Sequence, residues 1–189
     1  MKFSTPVSLP PESVKLTPQS HTMFIGSCFA DHIGQHMAEC LPQSQVCINP
    51  HGPLYNPVSI RNALVTYLPE SIVAPVHPDG FFQTSDGQWR HWEYSTQFSA
   101  PSREQLESQL MEEWTRTKDL FARIDTLFIT FSSDHTYWLT EGKFAHNCVA
   151  NCHKQPSRLF NETTQELKQM VYWWHYFLSE VHQELPHMQ

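Results

Sequence analysis

A nucleophile turn is the chemistry written most plainly in this sequence. Gly26-Ser27-Cys28 follows the apolar run Thr22 to Ile25 and opens an amphipathic segment from Phe29 to Cys40. A strand that turns over a glycine into a helix presents the turn residue beside unpaired N–H groups and the positive end of the helix dipole. Helix N-termini favour the thiolate form of cysteine, and a thiolate attacks a carbonyl carbon to give a thioester. Cys28 is therefore the candidate nucleophile, with Ser27 as the alternative. The structural alternatives are a serine that only caps the helix and a small cysteine packed at a tight turn.

Two further turns carry groups that could assist. Asn49-Pro50-His51-Gly52 combines a tight turn with an imidazole, and Ser132-Ser133-Asp134-His135 follows another apolar run. Asp134 and His135 are the residue types of a carboxylate–imidazole pair, yet neighbours at a strand end point apart, so a dyad between them is not expected. Asn151-Cys152-His153-Lys154 offers His153 as a base or as a hydrogen-bonded structural histidine. Cys148, Cys152 and His153, with His146, are the ligand types zinc prefers, although a Cys-x3-Cys-His spacing lacks a second ligand pair. His51 and Lys154 are placed to meet an anionic or carbonyl substrate.

The elements that must position these turns alternate between strand and helix. Thr22 to Ile25 has the pattern of a buried strand, and the helix over 29–40 puts Phe29, Ile33, Met37 and Cys40 on one face. Gln45 to Ile48 is a second strand, ended by Asn49-Pro50. Asn56-Pro57 caps a helix whose inward stripe is Ile60, Leu64 and Leu68. Residues 69–101 form a long excursion rich in Pro, Gly and aromatics, with a hairpin around Asp86-Gly87. Ser102 with Gln105 starts a long helix that turns Leu106, Leu110, Trp114 and Phe121 inward. Thr126 to Phe131 is the third strand, apolar enough to be covered on both faces. A last helix over 163–185 is capped by Thr163 with Glu166 and closed by Pro186, and Trp114, Trp173 and Trp174 read most simply as core or interface residues. Strands alternating with helices imply a parallel sheet with right-handed crossovers, whose working surface lies at the carboxyl ends of the strands. Those ends are the three turns named above.

Composition narrows the class. The 189 residues, 40% hydrophobic and 13% aromatic, suit one globular domain with a substantial core. Twelve Lys and Arg against nineteen Asp and Glu give a net charge of −7, which argues against a nucleic-acid surface. No apolar run approaches the length of a membrane helix, and Met1 to Pro11, part of an extended Pro-rich arm, lacks a signal-peptide pattern. Five cysteines, odd in number and irregular in spacing, fit reduced thiols in a cytoplasm better than a disulfide framework. No cofactor is implied.

The motifs resemble one family. Gly26-Ser27-Cys28-Phe29-Ala30 spells the signature of the GSCFA domain family. The likeness continues through Asn49 to Pro57, the aromatic segment Trp89 to Ser99, and Val149 to Pro156 with Phe160. That family is similar to the SGNH or GDSL hydrolases. The resemblance implies a flavodoxin-like, SGNH-type α/β three-layer sandwich with a central parallel sheet, and acyl hydrolysis or acyl transfer on a small-molecule or carbohydrate substrate. It puts Cys28 at the nucleophile position, Gly52 where an oxyanion-hole N–H is supplied, and Ser132-Ser133-Asp134 at the third conserved block, with Ser133 and Asp134 as catalytic candidates. Asn49, His51, Tyr55, Asn56, Asn151 and Lys154 are the substrate-contacting candidates. The chain departs from the pattern in having no glycine in the turn after Phe131 and no C-terminal Asp-x-x-His block. Relatives are longer, so residues 1–189 are expected to be the N-terminal part of the family domain, with a sheet incomplete on its C-terminal side. An apolar edge at Thr126 to Phe131 would then favour self-association, and an inactive binding or scaffold module becomes the alternative to an enzyme.

Overall fold

The computed structural model describes residues 16–188, so the N-terminal arm over residues 1–15 lies outside the described residues. Three strands build the central sheet: β1 (His21–Gly26), β2 (Gln45–Ile48) and β5 (Thr126–Thr130). They lie in the order β2-β1-β5, and both pairings are parallel. The alternation of β1 sorts its side chains between two layers. Met23 and Ile25 face a core shared with Ile60, Leu64, Phe121 and Phe177. Phe24 faces the opposite side, where it stacks on Phe128 at 4.7 Å and packs with Ala30 and Met37. Helix α1 (Cys28–Cys40) therefore covers one face of the sheet. Helices α2 (Pro57–Val65), α3 (Arg103–Phe121) and α4 (Leu167–Glu184) contribute to the core on the other. This is the flavodoxin-like α/β layout implied by the sequence.

Local signals set most helix boundaries. Ser27 caps α1 by accepting the Phe29 N–H, Asn56 caps α2 by accepting that of Ser59, and Ser102 caps α3 by accepting that of Gln105. Ile60, Leu64 and Leu68 are buried, as are Leu106, Leu110 and Phe121, while Trp114 packs against the core from a half-buried position. The excursion over 69–101 contains the expected hairpin, β3 (Phe81–Gln83) with β4 (Trp89–His91), joined through Asp86-Gly87.

Three expectations are corrected. The inward face of α1 is Ala30, Gly34 and Met37, whereas Phe29 is 60% and Ile33 42% exposed and Cys40 lies on the surface. A Cβ on Gly34 would sit 2.8 Å from Ile48, so the helix rests on the sheet through its smallest residues. The last helix starts at Leu167 rather than 163, because Thr163 belongs to strand β8 (Phe160–Thr164) and Glu166 makes no side-chain cap. That strand joins β6 (His135–Leu139) and β7 (Cys148–Val149) in an antiparallel sheet, ordered β7-β6-β8, which the periodicity did not disclose. The third correction concerns β5. Only Thr126 in it is buried, and among the described residues β1 is its one strand neighbour, so its other edge pairs with no described strand. Beside that edge an apolar groove of about 330 Å³ runs between Leu127, Ile129 and the α4 residues Leu178 and Val181.

Candidate functional site

The three carboxyl-end turns meet, and one buried amide ties them. Asn49, the first residue after β2, adopts a left-handed φ of 41° and is 3% exposed. Its side-chain carbonyl accepts the Gly26 N–H at 2.7 Å, and its NH2 donates to the carboxylate of Asp31 and to the Ser27 carbonyl. Its hydrogen-bonding capacity is thereby committed to shaping the turn, so Asn49 is a positioning residue rather than the substrate contact expected from the sequence. On the other side, the Thr130 hydroxyl at the end of β5 accepts the Ser27 N–H at 3.2 Å. The Leu54 N–H reaches back to the Gly26 carbonyl at 2.7 Å, and the Ser132 and Ser133 N–H groups both donate to the Tyr55 carbonyl at 3.1 Å. A β2–α2 loop, the Gly26-Ser27-Cys28 turn and a β5–β6 loop are thus laced into one surface.

Gly26 makes this approach possible. Its φ is +140°, and a Cβ there would stand 2.1 Å from the Thr130 carbonyl oxygen. The turn it permits separates the two candidate nucleophiles. Ser27 is 5% exposed and its hydroxyl is occupied as the helix cap, 3.4 Å from the Thr130 hydroxyl. Cys28, the first residue of α1, is exposed. Its backbone N–H makes no hydrogen bond among the described residues. Sulfur and a free amide donor therefore occur in one residue at a helix N-terminus, the arrangement that an attacking thiolate and a developing oxyanion require.

The other expected participants are engaged elsewhere. The Gly52 N–H, expected in an oxyanion hole, donates to the Asn49 carbonyl at 2.7 Å. Ser133 receives the His135 N–H on its hydroxyl, while the Asp134 carbonyl accepts the Gln165 N–H. Asp134 and His135 do approach at 3.7 Å, but the His135 imidazole also pairs with Glu162 across the antiparallel sheet. Asn56 is buried as the α2 cap, and the Asn151 side chain accepts the His153 N–H at 2.7 Å. Tyr55 is 41% exposed beside the laced turns and Lys154 is exposed, so both remain open to a ligand.

His51 and His153 belong to a buried aromatic layer. His51 stacks on Tyr94 at 4.1 Å, and its Nδ1 lies 3.0 Å from the Glu93 carbonyl. His153 lies edge-on to Trp92, its Nε2 3.1 Å from the carbonyl of His91. Burial lowers the His51 and His153 pKa values to about 4, and that of His91 to about 3, so all three are neutral at pH 7. Burial also raises the Glu93 carboxyl to about 7. No hydrogen bond or ion pair links either expected histidine to the Cys28 turn among the described residues. The zinc alternative loses its geometry for a related reason. Cys148 faces Ser59 and Asn56, its thiol and that of Cys152 are raised to about 11 by burial, and no group of three His, Cys, Asp or Glu side chains among the described residues is arranged to hold a metal ion.

Sequence reasoning missed Thr130 and Asp31. Both lie on the faces that address the turn, Thr130 opposite Gly26 in the parallel register and Asp31 one helical turn into α1. The pairing of a third strand with the first could have singled out Thr130. No helix among the described residues is long and apolar enough to cross a membrane.

Compared with known proteins, the chain matches the GSCFA family model over residues 21–189. No curated protein and no solved structure matches it.

Proposed function

The chain belongs to the GSCFA family, and on that premise we propose that it cleaves or transfers acyl groups through a thioester on Cys28. The observation that carries this reading is the exposed Cys28 at the start of α1, with an unengaged backbone N–H on a turn held by Gly26, Asn49 and Thr130. The Cys28 sulfur attacks the acyl carbonyl carbon, forming a C–S bond. The bond from that carbon to the leaving alkoxide or thiolate breaks, and the leaving group takes up a proton from solvent. Water or a second hydroxyl then attacks the thioester, gives its proton to solvent, and returns the thiolate. The backbone N–H of Cys28 and the first turn of α1 stabilise the tetrahedral oxyanion, where one such donor contributes about 3–4 kcal/mol.

Cysteine needs a neighbouring base less than serine does, because a fraction of it is already thiolate near neutral pH. With no histidine hydrogen-bonded to Cys28 among the described residues, the chemistry suits activated acyl donors, such as thioesters or aryl esters, in preference to amides. The engagement of the Gly52 amide and the burial of His153 favour a second reading, a binding module that has kept the turn without the chemistry.

Trapping separates the two. Incubation with p-nitrophenyl acetate is expected to give an acetyl adduct by intact-mass spectrometry, mapped to the peptide containing Cys28 and absent from Cys28→Ala. Acetylation of Cys40 at the same rate, or no adduct at all, would leave only the binding module.

A further inference from the structure

A second cleft beside these turns is built from three tryptophans and three side-chain amides that keep free hydrogen-bonding atoms. It has a volume of about 280 Å³ and lies between the start of α2, the antiparallel sheet and the first turns of α4. It adjoins the laced turns at three points. Pro57, in its wall, follows the Asn56 cap; Gln165, in another wall, donates its N–H to Asp134; and Trp174 meets Phe131 edge-on at 4.8 Å.

The aromatic walls are fixed carbon surfaces. Trp138 donates its indole N–H to the hydroxyls of Thr136 and Thr163, both at 3.0 Å, which locks the ring. Trp174 is buried against Phe177, whereas Trp173 stands 45% exposed at the mouth. Ligand clefts are lined predominantly by aromatic and apolar side chains with a few polar groups among them, and these rings supply the first part.

The polar groups supply the complementary half. Asn62 makes no side-chain hydrogen bond among the described residues, leaving a donor and an acceptor. Gln165 donates its NH2 to Thr136, and Asn147 donates its own to the carbonyls of Phe144 and Ala145, so each leaves a carbonyl oxygen free. Arg61 rests over the Phe177 ring at 5.7 Å, with no carboxylate partner among the described residues. Donors and acceptors mixed around an aromatic floor match groups that both donate and accept, which hydroxyls do. A fatty acyl chain would leave the Asn62 amide and the free carbonyl oxygens of Asn147 and Gln165 unpaired, and a phosphate or carboxylate would face those carbonyl oxygens.

We propose that this cleft, walled by Trp138, Trp173 and Trp174 with Asn62, Asn147 and Gln165, binds one ring of a neutral sugar. The ring lays its C–H face on the tryptophans and gives its hydroxyls to the amides and to Arg61. The cleft is at the small end of ligand pockets, which suits a single ring rather than a long oligomer. The inference rests on the acyl-transfer reading only for the purpose of the sugar, which would be the hydroxyl-bearing partner of the Cys28 thioester.

Binding is tested by tryptophan emission and saturation-transfer NMR with glucose, galactose, N-acetylglucosamine and cellobiose, and with octanoate and adenosine in parallel. At least one sugar is expected to bind with a dissociation constant on the order of 1 mM. Trp173→Ala should weaken it about tenfold, as removal of an aromatic anchor does, and Asn62→Ala should weaken it severalfold. Tyr172→Ala, a more exposed aromatic of α4 outside the cleft, should leave it unchanged. The inference is overturned if no sugar binds, if only octanoate or adenosine binds, or if Trp173→Ala is folded and binds as the wild type does. Cys28→Ala is expected to keep sugar binding. Sugar binding beside an unreactive Cys28 therefore refutes acyl transfer alone, and an acylated Cys28 without sugar binding refutes this inference alone.

Discussion

Replacing Gly26 by alanine tests the turn on which the proposed chemistry stands. The residue has φ +140°, where an L side chain is strained, and the added Cβ would lie 2.1 Å from the Thr130 carbonyl oxygen and 2.5 Å from its hydroxyl. Backbone strain of this kind costs about 1–3 kcal/mol. Overpacking adds about 1–3 kcal/mol, because the obstructing atom is main chain in the neighbouring strand and cannot rotate away. The sum, roughly 2–6 kcal/mol, is a large share of the ~5–15 kcal/mol that holds a domain together. At about 2–4 °C per kcal/mol for a chain of this size, Gly26→Ala should lower Tm by roughly 4–24 °C in a thermal melt followed by circular dichroism. Gly52 supplies the control. Its φ is +73°, and its Cβ would meet the Ser95 side chain, 1.9 Å from Oγ. That obstruction is removable, so Gly52→Ala with Ser95→Gly should recover about 1–3 kcal/mol relative to the sum of the single changes. No change at Thr130 that keeps its peptide should rescue Gly26→Ala. If Gly26→Ala melts within about 1 °C of the wild type, the close approach of β1 to β5 at the turn is wrong, and with it the placement of Cys28.

Two further measurements follow from the buried and exposed groups. His51, His91 and His153 are neutral when folded, with pKa values of about 4, 3 and 4, and return to ordinary values on unfolding. The stability they contribute is present above pH 6.5 and is lost as pH falls toward those values. Glu93, raised to about 7, opposes them between its ordinary 4.5 and 7, because there the unfolded chain holds fewer protons at that site. Near pH 5.5 the balance is an uptake of about two protons on unfolding, a slope of roughly 3 kcal/mol per pH unit. Urea midpoints should therefore fall steeply below pH 6.5, and more steeply still in Glu93→Gln; midpoints that are level from pH 7 to 5 would refute the buried histidine layer. The thiols give the second test. Iodoacetamide at neutral pH should modify Cys28 before Cys40, which sits at the opposite end of the same helix, and should spare Cys47 and Cys148 until urea exposes them, since both are buried with pKa values raised to about 11. Labelling of Cys40 first would remove the case for a privileged sulfur.

The parallel sheet was legible because its signals are local. Apolar runs ended by Gly26, Asn49-Pro50 and Ser132-Ser133 marked three strand ends, and Ser27, Asn56 and Ser102 announced the helices that follow or precede them. The face of α1 was not legible, because Phe29-Ile33-Met37 and Ala30-Gly34-Met37 repeat with nearly the same period. Hydrophobicity favours the first set. The close approach of the helix to Ile48 and Phe24 selects the second, since only small residues fit there. The antiparallel sheet escaped notice for a different reason. His135 to Leu139 and Phe160 to Thr164 are short, lack a strict polar–apolar alternation and are separated by twenty residues, so neither declares a partner until both are placed.

The same distinction separates the candidate site residues by whether folding has already used their polar groups. A residue type suited to catalysis is available for it only if folding has not already used its donors and acceptors. Cys28 passes that test through local geometry alone, as the first residue after a cap. His51 and His153 fail it through burial: each ties one ring nitrogen to a carbonyl 42 or 62 residues away, at Glu93 and His91, and keeps the other buried without a partner among the described residues. Both carbonyls belong to the aromatic excursion over 69–101, which also bonds the Ser95 N–H to the His51 carbonyl and accepts the Ala150 N–H at Trp92. The excursion is therefore the clasp that binds the β2–α2 loop to the Asn151-Lys154 turn. His51, stacked on Tyr94, and His153, edge-on to Trp92 and Phe82, are both neutral at pH 7 and serve the chain as aromatic packing with one polar tether each.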